Sequence, residues 1–406
     1  MDKHGEKVCC FIFSKVKRGV ILKRWYLCVI VLAVTASICT AAYIYGRRST
    51  LSLKKVDIMA SKDNSTISPI IEEGTFTGNI SYEYAQDKKI YYTKYSDKKS
   101  IQVYDIPSGK SETIMDALQP GNKINFFTIS NDCYIWEEDN DDESEDMTNW
   151  GLYIKKGSQI IKIDGDTAAE NKGIAMSPQG MSASGDYLVY RIHDVIPGVD
   201  KQGYLIKLYD IKNDGAKTIF TQADNSDIGI SDPYISGNYV VWSVSKDIND
   251  EKNQKSDVYI YSIKSGGFVK LTEDDNLSNP IIWETYVICL SNDIDGSSIV
   301  ILNTVTGKKK TIAKSDYTKF PEKEVHDYFA GNGYITWNNS YLDSVTVYDI
   351  LKDKIYDLKK SQNTSDANNN LINIKLFGKT LLYTDHFLTP KTGKTISETN
   401  RYIILR

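Results

Sequence analysis

Hydrophobic positions along this chain fall into a recurring phrase. A short apolar run appears at Lys89–Thr93 (KIYYT), Cys133–Trp136 (CYIW), Tyr187–Tyr190 (YLVY), Tyr239–Trp242 (YVVW), Tyr286–Cys289 (YVIC), Tyr334–Trp337 (YITW) and Leu381–Tyr383 (LLY). Counted from Tyr92 through Tyr383, its reference positions lie 44, 54, 52, 47, 48 and 46 residues apart. A period of about 50 residues marks a solenoid, propeller or array. Beyond each run comes a segment in which apolar and polar residues alternate, such as SIQVYDIPSGK (Ser100–Lys110), LIKLYDIKNDGAK (Leu205–Lys217), DVYIYSIKSGG (Asp257–Gly267) or SVTVYDILKDK (Ser344–Lys354). It usually closes on Asp or Asn and a turn. A further short segment follows the turn, as in FVKLT (Phe268–Thr272), and another precedes each run, as in DPYIS (Asp232–Ser236) or NPIIW (Asn279–Trp283).

About four strands per repeat, arranged radially, predict an all-β fold: a seven-bladed β-propeller of four-stranded antiparallel blades. The apolar run suits the second strand, because a strand covered on both faces loses the alternation of a half-wet one. The blades are expected over residues 79–118, 119–169, 170–223, 224–273, 274–313, 314–362 and 363–406. The last stops after its third strand, Arg401–Arg406. Thr66–Gly74 is therefore the candidate to complete it, since a closed ring leaves few unpaired edges. In SGD (Ser184–Asp186), SGN (Ser236–Asn238), GNG (Gly331–Gly333) and FGK (Phe377–Lys379), glycine stands where a tight hairpin needs positive φ.

Before the repeats, Trp25–Tyr45 (WYLCVIVLAVTASICTAAYIY) carries no charge and has aromatic residues at both edges. That pattern predicts one transmembrane helix. Residues 1–24 then form a short basic cytoplasmic tail, 46–78 a juxtamembrane stalk with the ring-closing strand, and 79–406 the propeller. The expected location is the cell membrane, single-pass, with the propeller extracytoplasmic. The alternative, a cleaved secretory signal ending near Thr40 and Ala42, is disfavoured because the apolar stretch exceeds the usual core of about 7 to 15 residues.

Composition narrows the partners. The net charge of -4 conceals +7 in residues 1–48 and -11 in the remainder. An acidic body without a basic stripe excludes nucleic acid. The 28 tyrosines against 11 phenylalanines reinforce the strand reading. Of six cysteines only Cys133 and Cys289 belong to the repeats, and both read as small buried hydrophobes.

The phrases SGNYVVW, DVYIYSI, SGG and KLT within Ser236–Thr272 resemble the TolB-like (WD40-like) repeats of prokaryotic cell-envelope propellers. The likeness covers about residues 79–406 and is strongest in blades three to six. The usual Ser-Pro-Asp-Gly turn is missing, SPQG at Ser177–Gly180 being a distant echo. The resemblance implies the fold and an extracytoplasmic binding or scaffold role, for such propellers are diverse in task.

Candidate chemistry is sparse. His193 and His386 each lie three residues beyond an apolar run, which places both in loops after a second strand; they are either a metal-binding pair on one rim or solvated loop residues. The chain has no GxSxG, HExxH, paired CxxC or GxxxxGK[ST] motif. The acidic run Glu137–Asp146 lacks Ca²⁺-loop spacing and reads as a solvated hairpin tip. In SNDIDGSS (Ser291–Ser298), Asp293 and Asp295 approach a short Ca²⁺ loop and are the candidate metal ligands, although an Asp-Gly hairpin turn explains them equally well. SKDINDE (Ser245–Glu251) is similar. No catalytic or cofactor-binding residue is expected, and Ca²⁺ is the one cofactor considered. The expected function is a non-enzymatic, membrane-anchored module binding an envelope protein or polysaccharide. The alternative is a hydrolase or lyase whose site is assembled from several blades' loops.

Overall fold

The computed structural model describes residues 68–140, 150–165, 180–199, 201–249, 255–273, 275–293, 296–315, 325–339, 344–360 and 367–406. The predicted membrane segment lies outside them. The described residues form seven antiparallel sheets, six of them built from consecutive strands. Blade one consists of Ile80–Gln86, Lys89–Lys94, Asp97–Asp105 and Lys110–Asp116. Blades two to six span 123–165, 181–223, 228–270, 277–314 and 325–360. The first strand of each blade touches the first strand of the next all the way round, so the first strands are innermost and the fourth outermost. Blade four is the exception to four strands, because its inner strand is split into Ile228–Ile230 and Tyr234–Ser236, both paired with Tyr239–Lys246.

The apolar runs are the second strands, and they are buried on both faces. In blade four, Val240 and Trp242 pack with Val189, Ile206 and Leu208 of blade three, while Val241 packs with Ile282, Val287 and Cys289 of blade five. Trp242 stacks on Tyr259 at 5.9 Å. The same arrangement yields seven apolar clusters, one at each seam between neighbouring blades. Each fully buried side chain of this size contributes about 1.5–3 kcal/mol, so the seams dominate stability. Tyr239, the first residue of its run, is 42% exposed and stays outside the seam.

The hairpin phrases have local causes. Gly185 and Gly237 adopt φ of 58° and 54°, as the turns require. Asn238 does not share that conformation. In blade one the equivalent turn uses Asp87 and Lys88 at φ of 50° and 60°. The Asp or Asn closing the third strand caps the turn after it. Asp105 accepts the Ser108 N–H at 3.0 Å, Asp210 those of Lys212 and Asn213 at 3.0 Å, and Asp349 that of Lys352 at 3.0 Å. Asn303 accepts two in the same way, at 3.0 and 2.9 Å. This is the side-chain mimic of a turn that short acidic and amide residues provide.

Blade seven contains Asn368–Phe377, Thr380–Leu388 and Thr395–Leu405, and its outer strand is Ile70–Phe76. The first strand of the body thus pairs with the last, Gly74 lying opposite Tyr402. Glu72 and Glu73 reach Lys88 of blade one and Lys359 of blade six, each at 2.8 Å. Exposed pairs of this kind add about 1 kcal/mol or less, so the join rests on backbone pairing and on Phe76, which stacks on Tyr104 at 5.1 Å. Behind it the buried Tyr82 hydroxyl lies within 3.1 Å of the Tyr383 carbonyl, Thr384 Oγ1 and Asn400 Oδ1, tying blade one to blade seven. Cys133 and Cys289 are buried free thiols in blades two and five.

A Cβ on Gly74 would stand 2.3 Å from the Tyr402 hydroxyl, with the rest of the ring scarcely further away. Gly74→Val is therefore expected to displace Tyr402 and destabilise the protein by about 1–3 kcal/mol, lowering the thermal midpoint by several degrees in a circular-dichroism melt. A melt indistinguishable from wild type would mean that this strand does not hold the ring closed.

Candidate active site

The irregularities of the inner strands define the site. Pairing between first and second strands shifts between Tyr82 and Tyr84 in blade one and between Ile124 and Phe126 in blade two. It shifts again between Ser278 and Ile281, Val325 and Tyr328, and Ile372 and Lys375 in blades five, six and seven. Bulges re-aim side chains out of the ladder. The bypassed residues include Glu83, Asn125, Asn279, Asp327 and Asn373, and the break in blade four holds Asp232. Six of the seven blades thus place a carboxylate or an amide at the interruption of the inner strand. Asn279 has a φ of 49° directly before Pro280, where extended backbone is preferred. It is held there by Ser243 Oγ, which accepts its N–H at 3.1 Å, and by the Tyr328 hydroxyl, which donates to its carbonyl. A strained residue fixed by its surroundings is a common feature of functional sites.

The inner strands of blades three to six surround a cavity of about 440 Å³. Met181, Pro233, Pro280, Ile281 and Phe329 supply its apolar wall, and Asp232, Asn279 and Asp327 its polar groups. Arg191 Nη2 lies 3.1 Å from Asp232. The same guanidinium donates to the Ile230 carbonyl and lies 5.2 Å over the Tyr204 ring. Asp232 packs against Gly180, where a Cβ would come within 2.7 Å of the carboxylate. Burial raises the Asp232 pKa and Arg191 offsets part of that rise.

A second polar group lies on the seam between blades seven and one. Lys375 Nζ donates to the Tyr82 carbonyl at 2.7 Å, and Thr93 donates to Glu83 at 3.0 Å. Burial pushes Glu83 up and Lys375 down, while the carboxylates of Glu83 and Asp327 favour the charged lysine. Acids shifted up beside an amine shifted down are the usual material of proton-transfer sites.

No protein-family model and no curated protein matches the chain. Solved structures do match. An oligogalacturonate lyase in complex with manganese aligns with a TM-score of 0.54 at 10% identity, over 86% of this chain and 97% of that one. The β-propeller domain of the Trilobed protease from Pyrococcus furiosus, described as having an open velcro topology, aligns with a TM-score of 0.51 at 11% identity, over 79% and 96%. The chain has the seven-bladed propeller fold. An acylaminoacyl peptidase from Pyrococcus horikoshii gives a TM-score of 0.51 at 11% identity over 79% of this chain, which spans about half (52%) of that enzyme. Identities this low establish the fold alone. They nevertheless overturn the expectation of a non-enzyme: propellers of this fold occur in a lyase and in peptidases, so the lack of a contiguous motif is no ground for excluding turnover.

Several sequence expectations fall elsewhere. Asp293 ends the second strand of blade five opposite Gly296, and Asp295 lies outside the described residues. Among the described residues no group of three or more His, Cys, Asp or Glu is arranged to hold a metal. His193 and His386 lie within the second strands of blades three and seven, not in loops. They do not meet: His193 contacts Asp224 at 2.9 Å, and His386 contacts Thr395 at 3.0 Å. Sequence reasoning missed Asp232 and Asn279, although each precedes a proline inside a strand phrase, which is itself a signal for a bulge.

The start of the acidic run is not a solvated tip either. Glu137, Glu138 and Asp139 belong to the second strand of blade two and are 0%, 0% and 3% exposed. Glu138 is satisfied by the N–H groups of Leu118 and Gln119 at 2.8 and 2.9 Å and by Trp136 Nε1 at 3.1 Å. Glu137 has no hydrogen-bond partner at normal geometry. Burial, then the charge of Asp139, push its pKa from 4.5 to about 9, against the Asn125 amide. The folded protein therefore holds a proton that the unfolded chain releases, and native stability declines as pH rises from about 4.5 to about 9. Glu137→Gln should remove that slope and add about 3 kcal/mol at pH 7. Urea unfolding of both proteins between pH 5 and 9 checks this; parallel pH profiles would show that Glu137 stays ionised in the folded protein.

Proposed function

We propose that this chain is a propeller enzyme that cleaves glycosidic bonds, with its site in the central cavity. Asp232 protonates the leaving oxygen and Asp327 takes up a proton on the other side of the reaction. One observation carries the reading: two carboxylates from different blades open into one cavity, in unlike environments. Both reach solvent, but Asp232 is raised by desolvation and paired to Arg191, whereas Asp327 has no ion pair among the described residues. Two carboxyl groups with separated roles are what glycoside hydrolysis requires. The likeness to a lyase along 97% of its length supports a site contained within the propeller itself.

The TolB-like phrases and the charge-free segment Trp25–Tyr45 support the rest of the proposal: an envelope protein, anchored in the cell membrane, acting on an extracytoplasmic polymer. Phe329 and the two prolines provide flat apolar surface for sugar rings, and Asn279 provides an amide for hydroxyl groups. Asp232→Asn removes the proton donor while keeping its shape. It should lower kcat by about 10²- to 10⁴-fold in a reducing-end assay over a glycan panel, with an unchanged melting curve. Equal turnover by the variant and the wild type would place the chemistry elsewhere.

A further inference from the structure

The charges around the cavity point to its substrate class. Resting on the central-cavity reading, we propose that the site is selective for a glycan bearing free amino groups, of the hexosamine kind, and rejects polyuronates. Two carboxylates, Asp232 and Asp327, line the cavity; of the cationic side chains, Arg191 pairs with Asp232 and Lys375 lies on the seam between blades seven and one. Neither cation is free to receive a carboxylate ligand. Arg191 is 13% exposed, and its guanidinium is already bound to Asp232 and to the Ile230 carbonyl. Lys375 donates to the Tyr82 carbonyl, and burial drives it toward its neutral form.

Asp327 is the carboxylate of the cavity that no cationic side chain pairs among the described residues. It is exposed. An ammonium group on a sugar bound there gains a charge-assisted hydrogen bond, whereas a uronate meets an uncompensated like charge. Phe329 in the same wall offers a ring face, which attracts cations. The charge of -11 carried by residues 49–406 acts in the same sense at longer range, drawing polycations in and repelling polyanions. A volume of about 440 Å³ suits a short stretch of glycan. Glycosidic cleavage of such a substrate needs only water as co-reactant: the bond to the leaving oxygen breaks, that oxygen takes the Asp232 proton, and a water adds at the anomeric carbon as Asp327 accepts its proton.

The test is isothermal titration of the full-length, detergent-solubilised protein with tetramers of glucosamine, N-acetylglucosamine and galacturonate. The glucosamine tetramer should bind at least tenfold more tightly than the acetylated one, and the galacturonate tetramer should give no heat. Asp327→Asn should cost the amine-bearing tetramer about tenfold or more in affinity and leave the acetylated one unchanged. Asp327→Lys should admit the galacturonate tetramer. Equal affinities for the first two, stronger binding of galacturonate by wild type, or no binding of any tetramer would each overturn the selectivity. The last result leaves the cavity reading to be judged by the kinetics of Asp232→Asn, so the two proposals fail separately.

Discussion

The structure depends on the double burial of its middle strands. A single blade presents apolar residues on both faces of its second strand: Val240 and Trp242 one way, Val241 the other. No isolated blade can cover both. Each therefore needs a neighbour on either side, and only a closed ring gives every blade two neighbours. The seven seams are thus conditions on one another rather than independent cores. The polar join between Tyr82, Thr384 and Asn400 sits at the one seam where blade one must meet blade seven. There, buried hydrogen bonds add direction to a contact that apolar packing alone would leave free to slide.

Most of this frame could be read from the chain. The apolar run, the Asx-capped turn and the hairpin glycine are local devices, each with a local cause, so they recur wherever a blade recurs. The site is different in kind. It is made where the repeat is interrupted, and the interruption falls at a slightly different place in each inner strand, so Glu83, Asp232, Asn279 and Asp327 share no phrase. Only Asp232-Pro233 and Asn279-Pro280 carried a visible mark. Glu137 shows the opposite failure. Its acidic surroundings suggested solvent, yet pairing with the strand beside it places it inside blade two.

That division also explains why motif reasoning argued against an enzyme. Short motifs work where neighbouring residues in sequence are neighbours in chemistry, as on one loop or one helix. A propeller's inner wall collects one strand from each blade, so residues that face each other across the cavity stand about 50 or more positions apart. Arg191, Asp232, Asn279 and Asp327 come from four different blades. Two of them are held by contacts from the neighbouring blades: Asp232 by Gly180 and Arg191 of blade three, Asn279 by Ser243 of blade four and Tyr328 of blade six.

The pairing of Ile70–Phe76 with Thr395–Leu405 has a consequence for the order of assembly. Ile70 meets Leu405, a separation of 335 residues. Bringing such distant segments together costs about 5 kcal/mol in chain entropy, and during synthesis the early strand has no partner until the late one has left the ribosome. For that interval it is an unpaired edge, one of the features that invite misassociation. The charges of Glu72 and Glu73 and the small Gly74 make it a poor template for another chain. The segment that ends the folding of this ring is also one that must survive the wait without finding the wrong companion.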